Sequence, residues 1–163
     1  MASIVVVGAG REGKGFLGEV FEAAGWAVSF IEKDPDVIRL LDQPDGYRVH
    51  LHTTSGVTTR RVTRYEVISA DDRARTSSAV GACDVIALCV YPEDIREVAA
   101  QLAPALSERA VANPARKLTI LVCTNKNHIL DEVVQSFLAP LPAAVCEWFG
   151  AQVEVRDCIV RRS

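Results

Sequence analysis

Three glycines at the end of an apolar run provide the first chemistry in this sequence. Residues 8–13 read Gly-Ala-Gly-Arg-Glu-Gly directly after the apolar run 4–7. After a strand, the G-x-G-x-x-G spacing gives a tight turn at Gly8, close approach of a pyrophosphate at Gly10 and close helix packing at Gly13. The N–H groups at the start of the following helix add a site for phosphate. The spacing therefore predicts dinucleotide binding.

A carboxylate follows the second predicted strand. Glu32 comes directly after the apolar run 26–31, where an acidic residue accepts hydrogen bonds from the adenosine ribose and repels a 2′-phosphate. This position favours NAD over NADP. Two alternatives remain open. The first is that Glu32 only ends an edge strand and solvates the turn, without binding the ribose. The second is that one of the neighbouring cations, Lys33 or Arg39, holds a 2′-phosphate, which would favour NADP.

Other residues of catalytic type have weaker patterns. Lys126 and His128 follow a predicted central strand, but a lysine and a histidine at the start of a helix are more often solvated or capping than catalytic. His50 and His52 lie on one face of a predicted strand, where we expect a solvent-facing pair because no third metal ligand is evident. The sequence therefore predicts no metal site.

Hydrophobic periodicity predicts the elements that position these residues. One helix is predicted over residues 14–24, another ends near residue 43, and further helices follow Pro92 and cover 129–138. An antiparallel hairpin, 47–53 with 58–67, is inserted between the second and third parallel strands. The other predicted strands are 4–7, 26–31, 84–90, 118–123 and 153–160. This alternation predicts an α/β fold with a doubly wound, mostly parallel Rossmann sheet and an inserted antiparallel hairpin.

The carboxyl edge of that sheet is where its ligands should bind. In a doubly wound sheet, ligands lie beyond the carboxyl ends of the strands, at the point where the strand order reverses. Four parts of the chain reach that edge: the glycine segment 8–13, Glu32, and the segments 90–92 and 123–127. We expect the groups that bind ligand to lie there.

Composition restricts the class of protein. The chain has 163 residues, 49% of them hydrophobic, and a net charge of −3, which predicts one domain over residues 1–163 and argues against nucleic acid. The densest basic group, Arg60, Arg61 and Arg64, is expected to be a solvated strand face. Five cysteines without a C-x-x-C spacing are expected to be reduced. No apolar run reaches the length of a membrane span, so we expect a cytoplasmic protein that does not bind membranes.

Four segments carry a family resemblance. Residues 8–18 (GAGREGKGFLG), 46–52 (GYRVHLH), 83–92 (CDVIALCVYP) and 120–125 (ILVCTN) resemble the N-terminal domain of mannitol-1-phosphate 5-dehydrogenase and its long-chain mannitol dehydrogenase relatives. The resemblance runs in the same order through essentially the whole chain. It implies that a polyol or polyol phosphate is oxidised to the ketose by hydride transfer to NAD.

The resemblance also implies roles for individual residues. The glycines hold the pyrophosphate, Glu32 binds the ribose, and Val90 approaches the nicotinamide. Asn125 matches the family asparagine that binds and polarises the reacting hydroxyl or carbonyl, a task that suits a neutral amide donor. The implied NAD-binding set is Gly8, Ala9, Gly10, Arg11, Glu12, Gly13, Glu32, Val90, Tyr91 and Asn125.

The sequence departs from the family in three respects. Thr124 stands where the family usually has an acidic or other polar residue, and Tyr91 stands where a small residue is common. The family's base is a lysine in a helical C-terminal domain, and the chain stops at Ser163 before any such domain.

These departures lead to three expectations and leave one alternative. We expect the chain alone to be inactive, to bind a polyol only together with a catalytic domain, and to self-associate through an exposed cleft face. The alternative is a free-standing NAD(H)-binding module that acts as a redox sensor or a partner-dependent subunit. A helical segment with a lysine and an asparagine and histidine cluster, encoded downstream of Ser163 in the genome, would identify the enzyme.

Overall fold

A parallel sheet of six strands forms the centre of the molecule. The computed structural model describes residues 1–124 and 126–158. Its strands are β1 (Ser3–Val7), β2 (Ala27–Glu32), β3 (Tyr47–Thr53), β4 (Gly56–Val62), β5 (Tyr65–Ser69), β6 (Val85–Leu88), β7 (Leu118–Val122) and β8 (Val153–Asp157). The sheet order is β5-β2-β1-β6-β7-β8, which confirms the predicted Rossmann sheet. The order reverses at β1, so the carboxyl ends of β1 and β6 form the switch point.

Helices cover both faces of this sheet. They are α1 (Glu19–Ala23), α2 (Pro35–Leu41), α3 (Arg73–Ala82), α4 (Ile95–Ala112), α5 (Leu130–Leu138) and α6 (Ala143–Gln152). The Asp34 side chain caps α2 by accepting from the N–H of Asp36 at 2.8 Å, as the Asp-Pro pair predicts. Within the described residues, no helix combines the length and the apolar character that crossing a bilayer requires.

Two apolar clusters fill the space between the sheet and the helices. Ile86, Leu102 and Phe137 belong to the cluster under α3 to α6. Ile4 and Phe30 belong to the cluster on the opposite face, under the helix that follows the glycine segment. Because successive residues of a strand point to opposite faces, β1 contributes to both clusters, and its continuous apolar run is typical of a strand buried on both sides.

A two-stranded hairpin leaves the sheet between α2 and β5. Its strands pair antiparallel from Tyr47↔Val62 to Thr53↔Gly56. The predicted second hairpin strand, 58–67, is wrong in its extent because the run divides: its first part lies in β4, while residues from Tyr65 onward form β5 and pair with β2 in the central sheet. A run rich in Thr and Val indicates extended structure, but it does not indicate the partner of each half.

The basic residues of the hairpin region pair with carboxylates of the helix beneath. Arg60 contacts the buried Glu19 at 2.7 Å, and Arg64 contacts the buried Glu22 at 3.2 Å. Arg61 faces the exposed Asp45 at 3.8 Å. The expected solvated strand face is therefore incomplete as a prediction. Two of the three arginines also compensate the charge of buried carboxylates and attach the hairpin region to α1.

The helix after the glycine segment begins with π-helical pairing. Gly13–Gly18 is a π-helical segment that continues into α1, so the predicted helix 14–24 exists but is not α-helical throughout. The Tyr47 hydroxyl, on β3, donates to the carbonyl of Lys14 at 2.6 Å, and burial raises the pKa of that hydroxyl. A Cβ at Gly18 would lie 2.5 Å from the Tyr47 hydroxyl oxygen. We call residues 13–23, the π-helical segment together with α1, the glycine helix. The hairpin and the glycine helix are therefore closely packed at this point.

A buried arginine organises the opposite, amino edge of the sheet. Arg109, on α4, is fully buried. Its Nη1 donates to the carbonyls of Val80 at 2.6 Å and Cys83 at 2.7 Å, and its Nη2 donates to the carbonyl of Lys117 at 3.0 Å. The last carbonyls of a helix lack partners within it and favour a cation, so Arg109 stabilises the end of α3.

Candidate functional site

A cavity of about 1070 Å³ opens at the carboxyl edge of the sheet. It lies beyond β1, β2, β6 and β7, where the sequence placed the candidate residues. We call it the carboxyl-edge cavity, and it is lined by Gly8, Gly10, Arg11, Glu12, Glu32, Lys33, Cys89, Val90, Tyr91, Pro92, Glu93, Asp94, Cys123, Thr124, Lys126 and Glu132. The structure therefore brings most of the predicted site residues together around one space.

The three motif glycines have three different surroundings. Gly8 has a φ of +91°, and a Cβ there would collide with the carbonyl oxygen of Cys89. A Cβ at Gly13 would collide with the carbonyl oxygen of Gly8. At Gly10 a Cβ would meet no atom within 4 Å. Packing within the chain therefore explains two of the glycines, while Gly10 leaves open space at the cavity wall.

Main-chain N–H groups of a helix start lie beside Gly10. The first intrahelical hydrogen bond runs from the N–H of Lys14 to the carbonyl of Gly10, at 3.0 Å. The preceding N–H groups of residues 10–13 therefore lie at a helix start, where the helix offers them no carbonyl. Arg11 is exposed at the same end. This arrangement of N–H groups and a cation suits a phosphate.

The Glu32 carboxylate joins the end of β2 to the glycine segment. Its Oε2 accepts from the N–H of Ala9 at 2.8 Å, and its Oε1 accepts from the N–H groups of Lys33 at 2.8 Å and Asp34 at 3.0 Å. The carboxylate is half-buried and lines the cavity. Since a carboxylate has about four acceptor positions, Glu32 keeps the capacity to accept a hydroxyl.

Both cations near Glu32 are compensated by carboxylates. Lys33 Nζ lies 3.6 Å from Asp94 Oδ1 and 3.6 Å from Glu97 Oε2. Arg39 is bonded to Asp36 on α2. Neither residue is a free cation at the end of β2.

Val90 and Tyr91 form the wall after β6. Val90 is partly buried against the apolar cluster of α3 to α6, whereas Tyr91 is 73% exposed. Tyr91 is therefore not folded into the core of the domain, and its ring stands at the mouth of the cavity.

The segment after β7 supplies the remaining wall. Thr124 is buried, and its Oγ1 accepts from the N–H of Lys126 at 3.4 Å. Lys126 Nζ donates to Glu132 at 2.6 Å, and His128 is exposed. Asn125, the predicted polarising residue, lies outside the described residues, as do the last residues of the predicted strand 153–160.

Three cysteines lie side by side at this edge, which the sequence pattern did not predict. The N–H of Cys123 donates to the carbonyl of Leu88 and that of Cys158 to the carbonyl of Val122, both at 3.0 Å. Cys89, Cys123 and Cys158 thus continue three neighbouring strands. A hydrogen bond with Cys89 and burial raise the pKa of the Cys123 thiol, which disfavours the reactive thiolate. The available signal is the position of Cys89 and Cys123 directly after the apolar strands β6 and β7; β8, before Cys158, carries three charged residues and gives no such signal.

The histidine pair on the hairpin faces solvent. His50 and His52 are exposed on β3, and His50 Nδ1 lies 2.9 Å from the hydroxyl of Thr59. Across residues 1–124 and 126–158, no group of three or more His, Cys, Asp or Glu side chains is arranged to hold a metal ion.

Sequence comparison finds one family along nearly the whole chain. A family model described as the mannitol dehydrogenase Rossmann domain matches residues 2–162. The mannitol-1-phosphate 5-dehydrogenase of Brevibacillus brevis is 27% identical over 161 residues, covering 94% of this chain and 40% of that protein. That of Enterococcus faecalis is 26% identical over 158 residues, covering 94% and 40%. The chain therefore spans about two-fifths of the length of these relatives.

Structural comparison finds the same architecture in solved dehydrogenases. Mannitol 2-dehydrogenase of Pseudomonas fluorescens, solved as a ternary complex with NAD and D-mannitol, superposes with a TM-score of 0.75 at 14% identity, covering 94% of this chain and 40% of that one. A D-sorbitol dehydrogenase in substrate-free form gives a TM-score of 0.71 at 15% identity, covering 93% and 40%. At these identities the similarity shows the fold.

Proposed function

This chain belongs to the mannitol dehydrogenase family, matching the model of its Rossmann domain, and we propose that it is the NAD-binding domain of an oxidoreductase. The proposed reaction is hydride transfer between NAD and a polyol or polyol phosphate of the mannitol 1-phosphate type. The names of the relatives support this class of substrate. The NAD complex of the structurally similar mannitol 2-dehydrogenase supports the cofactor.

The open space at Gly10 carries the proposal. Gly8 and Gly13 are required by contacts within the chain, but a side chain at Gly10 would meet no protein atom. A glycine is useful there because it lets a ligand approach the main chain closely. The neighbouring N–H groups and Arg11 favour an anionic ligand. A pyrophosphate satisfies both requirements.

The remaining residues of the site receive roles along the proposed cofactor. Glu32 accepts hydrogen bonds from the adenosine ribose and disfavours a 2′-phosphate. Ala9 and Glu12 complete the phosphate segment, while Val90 and Tyr91 border the nicotinamide. When bound, NAD supplies the hydride acceptor. Asn125 is proposed to donate to the oxygen of the reacting hydroxyl or carbonyl and so to stabilise developing negative charge.

The proton acceptor is proposed to come from outside this part of the protein. Lys126 is paired with Glu132 at 2.6 Å, and His128 is exposed on the surface. The relatives are about two and a half times as long as the matched region, since the chain covers 40% of them. We therefore propose that the base and most polyol contacts belong to a catalytic domain that docks over the carboxyl-edge cavity.

A cofactor titration tests the proposal directly. We expect NADH to bind to the isolated chain with modest affinity and more tightly than NADPH, measured by titration calorimetry. Gly10→Val should abolish binding and leave the circular dichroism spectrum unchanged, because the new side chain fills the position of the pyrophosphate. Gly150→Ala is the matched control, since Gly150 also has open space at its Cβ but lies in α6.

Two outcomes of the titration would count against the proposal. Unchanged NADH binding by Gly10→Val would contradict the proposal that the pyrophosphate lies against Gly10. Equal or tighter binding of NADPH would remove the role of Glu32.

The exposed Tyr91 favours a domain of an enzyme over a free-standing NAD(H)-binding module. Tyr91 is 73% exposed at the mouth of the site, and a docked catalytic domain would cover the part of its ring that the cofactor leaves exposed. We also propose a reducing, cytoplasmic location, which the five free cysteines support.

A further inference from the structure

The ion pairs of Lys33 lie close to the place proposed for the adenosine ribose, where NADP carries a 2′-phosphate and NAD does not. Lys33 directly follows Glu32, the residue assigned to the adenosine ribose, and a lysine at that place is a ready partner for a 2′-phosphate. In this structure its Nζ lies 3.6 Å from Asp94 and 3.6 Å from Glu97. Asp94 lines the cavity on the segment that leads from β6 into α4, and Glu97 lies in the first turn of α4.

The local charge around this lysine is negative. Asp94 and Glu97 raise the pKa of the Lys33 ammonium, so the lysine stays protonated, yet one positive charge faces two negative ones. Glu32 adds a third carboxylate on the same side of the cavity. A 2′-phosphate placed here would have to compete for Lys33 with groups already within 4 Å of it.

We propose that Asp94 and Glu97 are determinants of cofactor specificity, which act by holding Lys33 in an ion pair and so denying it to the 2′-phosphate of NADP. This inference rests on the proposed NAD-binding function and extends it to residues outside the glycine motif. Glu32 then excludes the phosphate by repulsion, and Asp94 and Glu97 exclude it by occupying Lys33.

The test is the ratio of the dissociation constants of NADPH and NADH in charge-neutral variants. We expect Asp94→Asn combined with Glu97→Gln to bind NADPH about two- to fivefold more tightly than the wild type does, the size of one exposed ion pair. NADH affinity should change by less than about twofold, because NADH carries no 2′-phosphate. Adding Lys33→Ala to this double variant should return the ratio to its original value.

A second double variant controls for net charge. Glu66→Gln with Glu154→Gln also removes two carboxylates from exposed ion pairs, those with Arg75 and Arg156, but outside the carboxyl-edge cavity. We expect it to leave the ratio unchanged. Thermal unfolding of each variant verifies that the fold is retained.

Each result has a defined meaning. An unchanged ratio in Asp94→Asn/Glu97→Gln, with NADH still bound, would overturn the inference and leave the proposed function standing. A gain that persists after Lys33→Ala would show that loss of repulsion, and not release of the lysine, is responsible, which also overturns it. If the wild type binds neither dinucleotide, the proposed function itself fails.

Discussion

At the scale of single residues, Glu32 has a structural task besides the one proposed in ligand binding. Its two oxygens accept three main-chain N–H groups, including that of Ala9 in the glycine segment. The carboxylate thereby sets the distance between the end of β2 and the segment that follows β1. Hydrogen bonds to a charged acceptor are stronger than neutral ones, so this link is sensitive to the charge and to the chemistry of both oxygens.

Glu32→Gln should therefore destabilise the protein as well as weaken NADH binding. One oxygen becomes an NH₂ group that faces either Ala9 N–H or the N–H groups of Lys33 and Asp34, which leaves a donor without an acceptor. We expect a loss of about 1–3 kcal/mol in the free energy of unfolding, measured by urea denaturation. Glu93→Gln, at an exposed residue of the same cavity, should change it by less than about 0.5 kcal/mol. Wild-type stability of Glu32→Gln would contradict the structural role.

The sequence predicted the residues whose tasks depend on their own position along the chain. Gly8, Gly13 and Glu32 belong to this group, because a tight turn, a close helix contact and the end of a strand are local requirements. The ion pairs of Lys33 with Asp94 and Glu97 could not be predicted in the same way. They depend on the separation of two loops across a folded sheet and on where long, flexible side chains end.

At the scale of elements, the inserted hairpin acts as a support for the glycine helix. Tyr47 donates to the carbonyl of Lys14 within the π-helical segment, and Arg60 and Arg64 pair with carboxylates of α1. The hairpin thus contacts the helix that carries the proposed phosphate site at both of its halves. We therefore expect the hairpin to fix the start of that helix.

Tyr47→Phe tests this support, and Tyr65→Phe is its matched control. The Tyr65 hydroxyl also donates to a carbonyl, that of Leu41 at 2.7 Å, and its ring lies 5.2 Å from that of Tyr47. Each variant should lose about 1 kcal/mol in the free energy of unfolding. Only Tyr47→Phe should also weaken NADH binding, measured by calorimetry. Equal NADH affinities in the two variants would show that the hairpin does not position the glycine helix.

Helices and strands were predicted correctly where the pattern of apolar residues matched the faces that the element buries. The central strands are continuous apolar runs, and α5 carries its apolar residues on one stripe. It failed for α6, whose sequence AAVCEWFGAQ has no polar face to mark a helical period. The run 58–67 was assigned to one strand because β-propensity does not record a change of partner. The apolar period of residues 14–24 did not indicate the π-helical segment, in which the Lys14 carbonyl accepts from Tyr47 of another element.

At the scale of the whole molecule, the chain alone should show no polyol oxidation. The proposed proton acceptor lies in another part of the protein, and a hydride acceptor without a base does not turn over. The measurement is NADH formation, followed by its absorbance, with NAD and mannitol, mannitol 1-phosphate or other hexitols. Turnover at ordinary enzyme rates would place a base within this chain, and Lys126→Met and His128→Asn would then identify it.

The isolated chain should also self-associate through the mouth of its cavity. Tyr91 is 73% exposed there, and covering an aromatic side chain is favourable by about 25 cal/mol for each Å² of apolar surface. Sedimentation velocity over a concentration series should show a growing dimer fraction, which Tyr91→Ser reduces. Val111→Ser is the control, because Val111 is 83% exposed on α4. A monomer at all concentrations, or equal association of Tyr91→Ser and the wild type, would contradict this prediction.

Arg109 makes local unfolding at the amino edge of the sheet different from local unfolding at the carboxyl edge. Its guanidinium joins the end of α3, the approach to β6 and the residue before β7 through three carbonyls, so none of these segments can separate without breaking bonds to the same buried group. Native-state amide exchange should therefore find them opening together, as one cooperative unit with high protection. At the carboxyl edge, the ends of β6 and β7 are joined by single bonds such as that from the Cys123 N–H to the Leu88 carbonyl, so we expect lower protection there than at the amino edge.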